Sequence, residues 1–199
     1  MPSSRSLLER HGWLLETARR EDIARQIAEH GPFSLVLLDL SHDADAAETA
    51  LAIRNLPGVE AAAPILRVTT GISLDNGSNS PGVDADIAGT LDDDSLAQGL
   101  EHWRPFSLAP TRRIAEMFGS GPIAGMIERL ARRLEAAMIR LDQGYFDKAE
   151  AHRLAGLCGT LGFGQAHAAW LDLSLGEESA REEVRRTTRL TLAAIARGL

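Results

Sequence analysis

The chain has little that would support disulfide or metal chemistry. It contains one cysteine in 199 residues, Cys158, so no disulfide can form within the chain and a reducing, cytoplasmic setting is expected. A lone cysteine is usually a small buried apolar residue rather than a reactive group. The histidines lack the spacing of zinc ligands, and we therefore predict no metal site.

Long hydrophobic runs and positive charge are also scarce. The longest apolar runs, such as Phe33–Leu38, are far shorter than the roughly 20 residues needed to span a bilayer, and no signal-like segment opens the chain. We therefore expect no membrane association. Residues 1–104 hold eight arginines against 17 acidic residues, the opposite of the basic surface that nucleic acid requires.

The first half alternates between two hydrophobic periods. A continuous apolar run at Phe33–Leu40, ending in Asp39, and a second buried-strand run at Pro64–Thr69 are typical of strands covered on both faces. Shorter strands are predicted at Trp13–Leu15 and Ala85–Ala88, and helices at Ser4–His11, Glu21–His30, Ala46–Asn55 and Ser95–Trp103. This alternation predicts an α/β domain with a mostly parallel sheet over residues 1–104.

After Pro105 the strand pattern ends. Apolar residues from Ile123 to Leu141 recur every three or four positions until Gly144. Further helices are predicted at Tyr145–Gly162, Gln165–Leu175 and Glu178–Arg197, with a short helical piece at Thr111–Phe118. The second half, residues 105–199, is therefore expected to form an antiparallel four-helix bundle.

One predicted helix places a histidine opposite its core side. At about 100° per residue, the core side collects Ala151, Leu154, Leu157, Cys158 and Leu161. His152 lies roughly opposite and should be exposed. Its expected neighbours on that outer surface are all tiny: Ala149, Ala155, Gly156 and Gly159.

The small residues around His152 have two explanations. Glycine inside a helix costs about 1 kcal/mol relative to alanine, so a helix built only for stability would not carry it. Open space beside one imidazole would admit a second protein and a bulky anion, and a neutral imidazole is a competent nucleophile. Alternatively, Gly156 and Gly159 serve close packing against a neighbouring helix and His152 has no role.

Residues 151–163 resemble the histidine phosphotransfer (HPt) domains of bacterial phosphorelays. The motif of that family reads His-x-x-Lys-Gly followed by small residues and Leu-Gly, and His152, Gly156, Leu161 and Gly162 match it. The resemblance covers about residues 115–199. It implies that His152 accepts a phosphoryl group from an aspartate of a receiver domain and passes it to another.

One residue departs from the motif. Ala155 stands where the family has a lysine that helps to neutralise phosphate oxygens. This departure favours slower transfer, or an alternative function in which the bundle binds and sequesters a receiver or sensor kinase without phosphorylation.

The first half resembles a response-regulator receiver domain. Residues 35–40 are similar to its third strand, which ends in the phosphoacceptor aspartate, here Asp39. Residues 64–69 are similar to its fourth strand with the switch threonine, here Thr69. The implied fold is a truncated flavodoxin-like sheet.

Several receiver features are missing. The first strand and its acidic Mg²⁺-binding pair are absent from the sequence, and Gly89 and Thr90 replace the expected lysine and proline. We therefore predict that Asp39 is not an efficient phosphoacceptor. The missing strand has three explanations: Trp13–Leu15 takes its place, a second copy of the chain fills the gap in a homodimer, or the chain is truncated.

Together these features predict a two-domain signalling protein. His152 would carry phosphate to and from receiver domains or a hybrid sensor histidine kinase. The chain would need no cofactor of its own, because Mg²⁺ would travel with the partner receiver.

Overall fold

A computed structural model of the chain describes residues 8–30, 33–39, 43–56, 62–69, 80–88 and 93–198. The chain forms two compact units, Met1–Arg104 and Pro105–Leu199. The first is built around a small parallel sheet and the second is helical. Within the described residues, no helix combines the length and the apolarity needed to cross a membrane.

The described part of the first unit contains three parallel strands, β1 (Val36–Leu38), β2 (Ile65–Thr69) and β3 (Ala85–Ala88), in the order β1-β2-β3. Ile65 and Leu66 are both fully buried. Because successive strand residues point to opposite faces, β2 is covered on both sides, as the buried-strand pattern of residues 64–69 predicts.

Among the described residues of this unit, residues 8–10 are helical and three further helices accompany the sheet. A 3-10 turn (Arg20–Asp22) leads into α1 (Ile23–His30), and α2 (Asp43–Arg54) connects β1 to β2. Ile27 and Ile53 bury their side chains with Val36, Leu38 and Ile65 in one apolar cluster. The last helix of the unit, α3 (Asp93–Glu101), packs against β3.

Two ion pairs tie the charged residues of this unit together. Arg67 on β2 is 3% exposed and donates to both oxygens of Asp86 on β3, at 2.8 and 2.6 Å. Arg54 donates to Asp84 at 2.5 Å and to the Ala63 carbonyl at 2.5 Å. These carboxylates therefore stabilise the sheet rather than lie free for chemistry.

The prediction of a strand at Trp13–Leu15 is wrong. Residues 13–19 are irregular, and Leu14 is 97% exposed. The ring of Trp13 instead lies under the guanidinium of Arg104, 4.9 Å from the ring centroid. Among the described residues, no strand pairs with the edge of β1 that faces away from β2.

The second unit consists of α4 (Ala109–Phe118), α5 (Ser120–Asp142), α6 (Lys148–Thr160), α7 (Gly164–Leu175), a 3-10 turn (Glu178–Ala180) and α8 (Arg181–Ala196). Contacts link α5 to α6, α6 to α7, α7 to α8, and α8 back to α5, while α4 packs on α5. The core residues of these helices are fully or almost fully buried: Leu130, Leu134, Leu141, Leu154, Cys158, Leu161, Trp170, Leu173, Val184 and Leu190.

Several buried side-chain hydroxyls and the indole of Trp170 in this core have hydrogen-bond partners. Trp170 on α7 donates its indole N–H to the hydroxyl of Thr188 on α8 at 2.9 Å. Thr187 and Thr191 donate their hydroxyls to carbonyls one turn earlier, at 2.7 and 2.8 Å. The buried hydroxyls of these threonines are therefore hydrogen-bonded, and their burial does not leave an unsatisfied polar group.

Candidate functional site

Helix α6 fixes the position of His152. The helix begins after Asp147, whose carboxylate caps it by accepting from the backbone N–H groups of Ala149 and Glu150 at 2.8 and 3.4 Å. The side of α6 that carries Ala151, Leu154, Cys158 and, just after the helix, Leu161 is buried. The packing of this side leaves His152 exposed on the other.

The space next to His152 is open. Ala149, one turn before it, is exposed, and so is Gly156, one turn after it. A Cβ built at Gly156 would meet no atom of the described residues within 4 Å, apart from its own helix and chain neighbours. Packing against the described residues therefore does not require a glycine at position 156, and the space above Gly156 is open to another molecule.

The expectation that Ala155 lies on the exposed surface is wrong. Ala155 is 1% exposed because α7 covers this side of α6. Nδ1 of His167 on α7 lies 2.9 Å from the Ala155 carbonyl oxygen, so the imidazole rests on that part of the helix. The exposed patch therefore consists of Ala149, His152, Gly156 and Gly159.

Gly159 differs from Gly156 in what it touches. It is exposed, but a Cβ at this position would lie 3.0 Å from Nδ1 of His167. Gly159 therefore allows the close approach of α7, as the packing explanation of the glycines requires, whereas Gly156 does not fit that explanation.

His167 is a residue whose place beside this patch the sequence reasoning missed. Because a carbonyl oxygen only accepts, the bond to Ala155 requires the proton on Nδ1 and leaves the Nε2 lone pair free of that bond. The contact pairs Gly159 on α6 with the ring of His167 on α7. A projection of one helix at a time does not reveal such a pairing between two helices.

An ion-pair network lies along the other flank of α6. Nη2 of Arg133 on α5 lies 2.9 Å from both oxygens of Glu150, and Arg153, the residue after His152, donates to the same carboxylate at 3.0 Å. Burial alone would raise the pKa of Glu150, but the hydrogen bonds from Arg133 and Arg153 outweigh it and hold that pKa below its ordinary value. Arg153, the cationic residue next to His152, is thus already paired with Glu150.

Cys158 is not part of the site. It is fully buried, and burial raises the pKa of its thiol to about 12. A thiol in that environment stays protonated at neutral pH and is a poor nucleophile.

Asp39 and Thr69, the residues that resemble the phosphoacceptor and switch residues of a receiver, lie at the carboxyl ends of adjacent strands of the sheet. Asp39 directly follows β1 and is exposed, and Thr69 is the last residue of β2, with its hydroxyl 3.4 Å from the Ile87 carbonyl oxygen. Gly89 and Thr90 lie outside the described residues. The part of the chain that the structure describes holds no cluster of three or more histidine, cysteine or acidic residues suited to a metal ion.

Comparison of the chain with protein-family models, with curated proteins and with solved structures gave no significant match. The functional argument therefore rests on the residues themselves and on the geometry around His152.

Proposed function

We propose that the chain is a phosphotransfer protein whose helical unit is an HPt-type four-helix bundle, with His152 as the phosphoacceptor. The ring of contacts from α5 through α8 and back to α5 supports the bundle. The observation that carries the function is an exposed imidazole on α6 with open space above Gly156, one turn away.

Phosphoryl transfer requires little of this chain beyond the correct position of the His152 ring. In the forward step, a lone pair of the His152 ring attacks the phosphorus of an aspartyl phosphate on the partner. A P–N bond forms as the P–O bond to the acyl group breaks, and the partner's aspartate leaves as a carboxylate. The reverse step returns the phosphoryl group to another aspartate. Because such transfer depends chiefly on alignment and charge stabilisation, the partner can supply the Mg²⁺.

The open surface matches this requirement. An in-line approach needs room for the phosphoryl group and for the protein surface that carries it. Gly156 and Ala149 add no bulk beyond a methyl group on either side of His152 along α6. Neighbouring helices hold α6 through its buried side, so the ring is presented on a fixed support.

For the first unit we propose a receiver-like domain that does not itself accept phosphate. Its three parallel strands in sequential order, with Asp39 and Thr69 at their carboxyl ends, support the likeness. Phosphoryl chemistry at Asp39 would need neighbouring positive charge, and the receiver lysine is replaced by Gly89. We expect this unit to contribute to partner binding or dimer formation.

The proposal is tested by transfer from labelled receivers. Receiver domains encoded in the same genome are phosphorylated with radioactive acetyl phosphate, freed of excess donor and mixed with the chain. Wild-type protein should gain a label that is lost in acid and kept in alkali, as expected of a phosphoramidate. His152→Gln should gain none, and His30→Gln, which alters another exposed histidine, should label normally.

The outcome against the proposal is equally definite. If His152→Gln labels as strongly as wild type, His152 is not the phosphoacceptor. Direct treatment with phosphoramidate, a small donor that phosphorylates histidine without a docked protein, serves as the chemical control for ring accessibility.

A second candidate function is sequestration of a receiver or kinase without phosphate transfer. Two observations favour it: a buried alanine occupies the position of the motif lysine, and Glu150 already engages Arg153. A sequestering protein would bind a receiver in the same experiment and remain unlabelled, so binding without label would select this function.

A further inference from the structure

A basic groove lies between α5 and α6, outside the patch around His152. It has a volume of about 440 Å³. It is lined by Ala136, four arginines, two acidic residues and Tyr145. Arg132, Arg133 and Arg140 come from α5, whereas Arg153 comes from α6.

The acidic residues of the groove are occupied by internal contacts. Glu150 binds Arg133 and Arg153, and Asp147 caps α6. The guanidinium groups of Arg132 and Arg140 have no ion-pair or hydrogen-bond partner among the described residues, and both residues are exposed. Four guanidinium groups against two carboxylates leave a formal charge of +2 in a chain whose net charge is −7.

The two free arginines are separated along the groove. Eight positions of helix place Arg132 and Arg140 about 12 Å apart along the axis of α5, at roughly 1.5 Å per residue. Two carboxylates spaced along a protein segment would match this separation better than one compact anion. Tyr145 is 61% exposed and adds an aromatic surface to the groove. Tyrosine and arginine, together with tryptophan, are enriched among the residues that dominate the binding energy of protein interfaces.

We propose that this groove is a docking site for an acidic helical segment of a protein partner, in which carboxylates about two helical turns apart pair with Arg132 and Arg140. Arg133 and Arg153, held in place by Glu150, line the groove between α5 and α6. The proposal does not depend on phosphate transfer at His152.

The test uses a defined probe. A fluorescent, capped helical peptide with glutamates eight residues apart is titrated with the full chain at low salt, and its anisotropy is followed. A peptide with glutamines at the same positions is the probe control. The groove variant is Arg132→Glu with Arg140→Glu. The matched control is Arg112→Glu with Arg113→Glu, which makes the same change in net charge on exposed residues of α4.

We expect the glutamate peptide to bind wild type and the α4 control alike, and to bind the groove variant about tenfold more weakly or worse, because charge attraction becomes repulsion. The glutamine peptide should bind weakly throughout. The milder pair Arg132→Gln with Arg140→Gln should show a smaller loss, and circular dichroism of each variant confirms its helix content. His152→Gln should bind like wild type.

Three results would overturn the proposal. One is equal binding by the groove variant, and another is an equal loss in both charge-reversed pairs, which would indicate non-specific attraction. The third is complete displacement of the peptide by millimolar inorganic phosphate at constant ionic strength, which would indicate a small-anion site. A failure of His152 to accept phosphate would leave the peptide result untouched, so the two proposals fail separately.

Discussion

At the scale of single residues, Gly156 and Gly159 occupy the same helix under different constraints. A Cβ at Gly159 would press on the ring of His167, whereas a Cβ at Gly156 would meet open space. Of the two glycines in α6, Gly156 is therefore the one that has no packing reason among the described residues. This difference is what an access function for Gly156 predicts.

Substitution at Gly156 should separate stability from transfer. Gly156→Ala should raise the free energy of unfolding by up to about 1 kcal/mol, because alanine is the better helix former. Gly156→Leu should fold normally but slow phosphotransfer from a receiver about tenfold or more, because it blocks the aligned approach to His152. Urea denaturation and labelling kinetics measure the two effects. Normal transfer by a folded Gly156→Leu protein would contradict the access function.

The residue scale also shows where sequence reasoning stops. The period of α6 correctly separates its buried residues from His152, because that division depends only on angles around one helix. Ala155 was assigned to the wrong side because its burial depends on where α7 lies. The contact between His167 and the Ala155 carbonyl involves two helices, and no pattern within either segment specifies it.

At the scale of elements, the junction between α6 and α7 is fixed by Gly162. Its φ is +88°, and a Cβ there would lie 2.9 Å from Cβ of Pro110 at the start of α4. Thr111 donates its hydroxyl to the carbonyl of Leu161 at 2.8 Å, which holds α4 to the same turn. The Leu-Gly pair that resembles the HPt motif thus has a structural function here.

Gly162→Ala should destabilise the helical unit by about 2 kcal/mol or more, because a side chain is strained at positive φ and also collides with Pro110. Gly164→Ala is the control, since a Cβ there meets nothing within 4 Å among the described residues. Thermal unfolding of the two variants should therefore differ clearly. Equal melting temperatures would show that the turn is not under this constraint.

The sequence correctly predicts those strands whose burial produces a strong pattern of apolar residues. The runs that become β1 and β2 are mostly apolar, with Arg67 as the charged residue of β2, and β3 has the predicted bounds Ala85–Ala88. Trp13–Leu15 was mistaken for a strand because three apolar residues in a row do not distinguish a strand from an irregular segment. The cation-π contact with Arg104, 91 positions later, is invisible in a local window.

At the scale of the whole molecule, the chain comprises two units with different charge. The unit Met1–Arg104 is strongly acidic, whereas Pro105–Leu199 carries the exposed arginines of α5 and the His152 patch. Each unit has its own buried core. All the residues of the proposed phosphotransfer site and of the groove belong to the second unit.

A fragment spanning residues 105–199 should therefore fold and function alone. We expect a helical circular dichroism spectrum, a cooperative thermal transition, and labelling of His152 by phosphoramidate at a rate within about threefold of the full chain, because the buried groups that hold α6 all lie within the fragment. An unfolded fragment, or a folded one that resists labelling while the full chain labels, would contradict this independence.

The central claim is tested most directly by locating the phosphoryl group after exchange. The full chain is mixed with a phosphorylated receiver that transfers to it, digested at neutral to alkaline pH, and sequenced by tandem mass spectrometry. The account predicts a phosphoryl group on His152 and its disappearance when unphosphorylated receiver is added in excess. A phosphoryl group found at Asp39, at His167 or on no residue of this chain, with receiver bound, would contradict it.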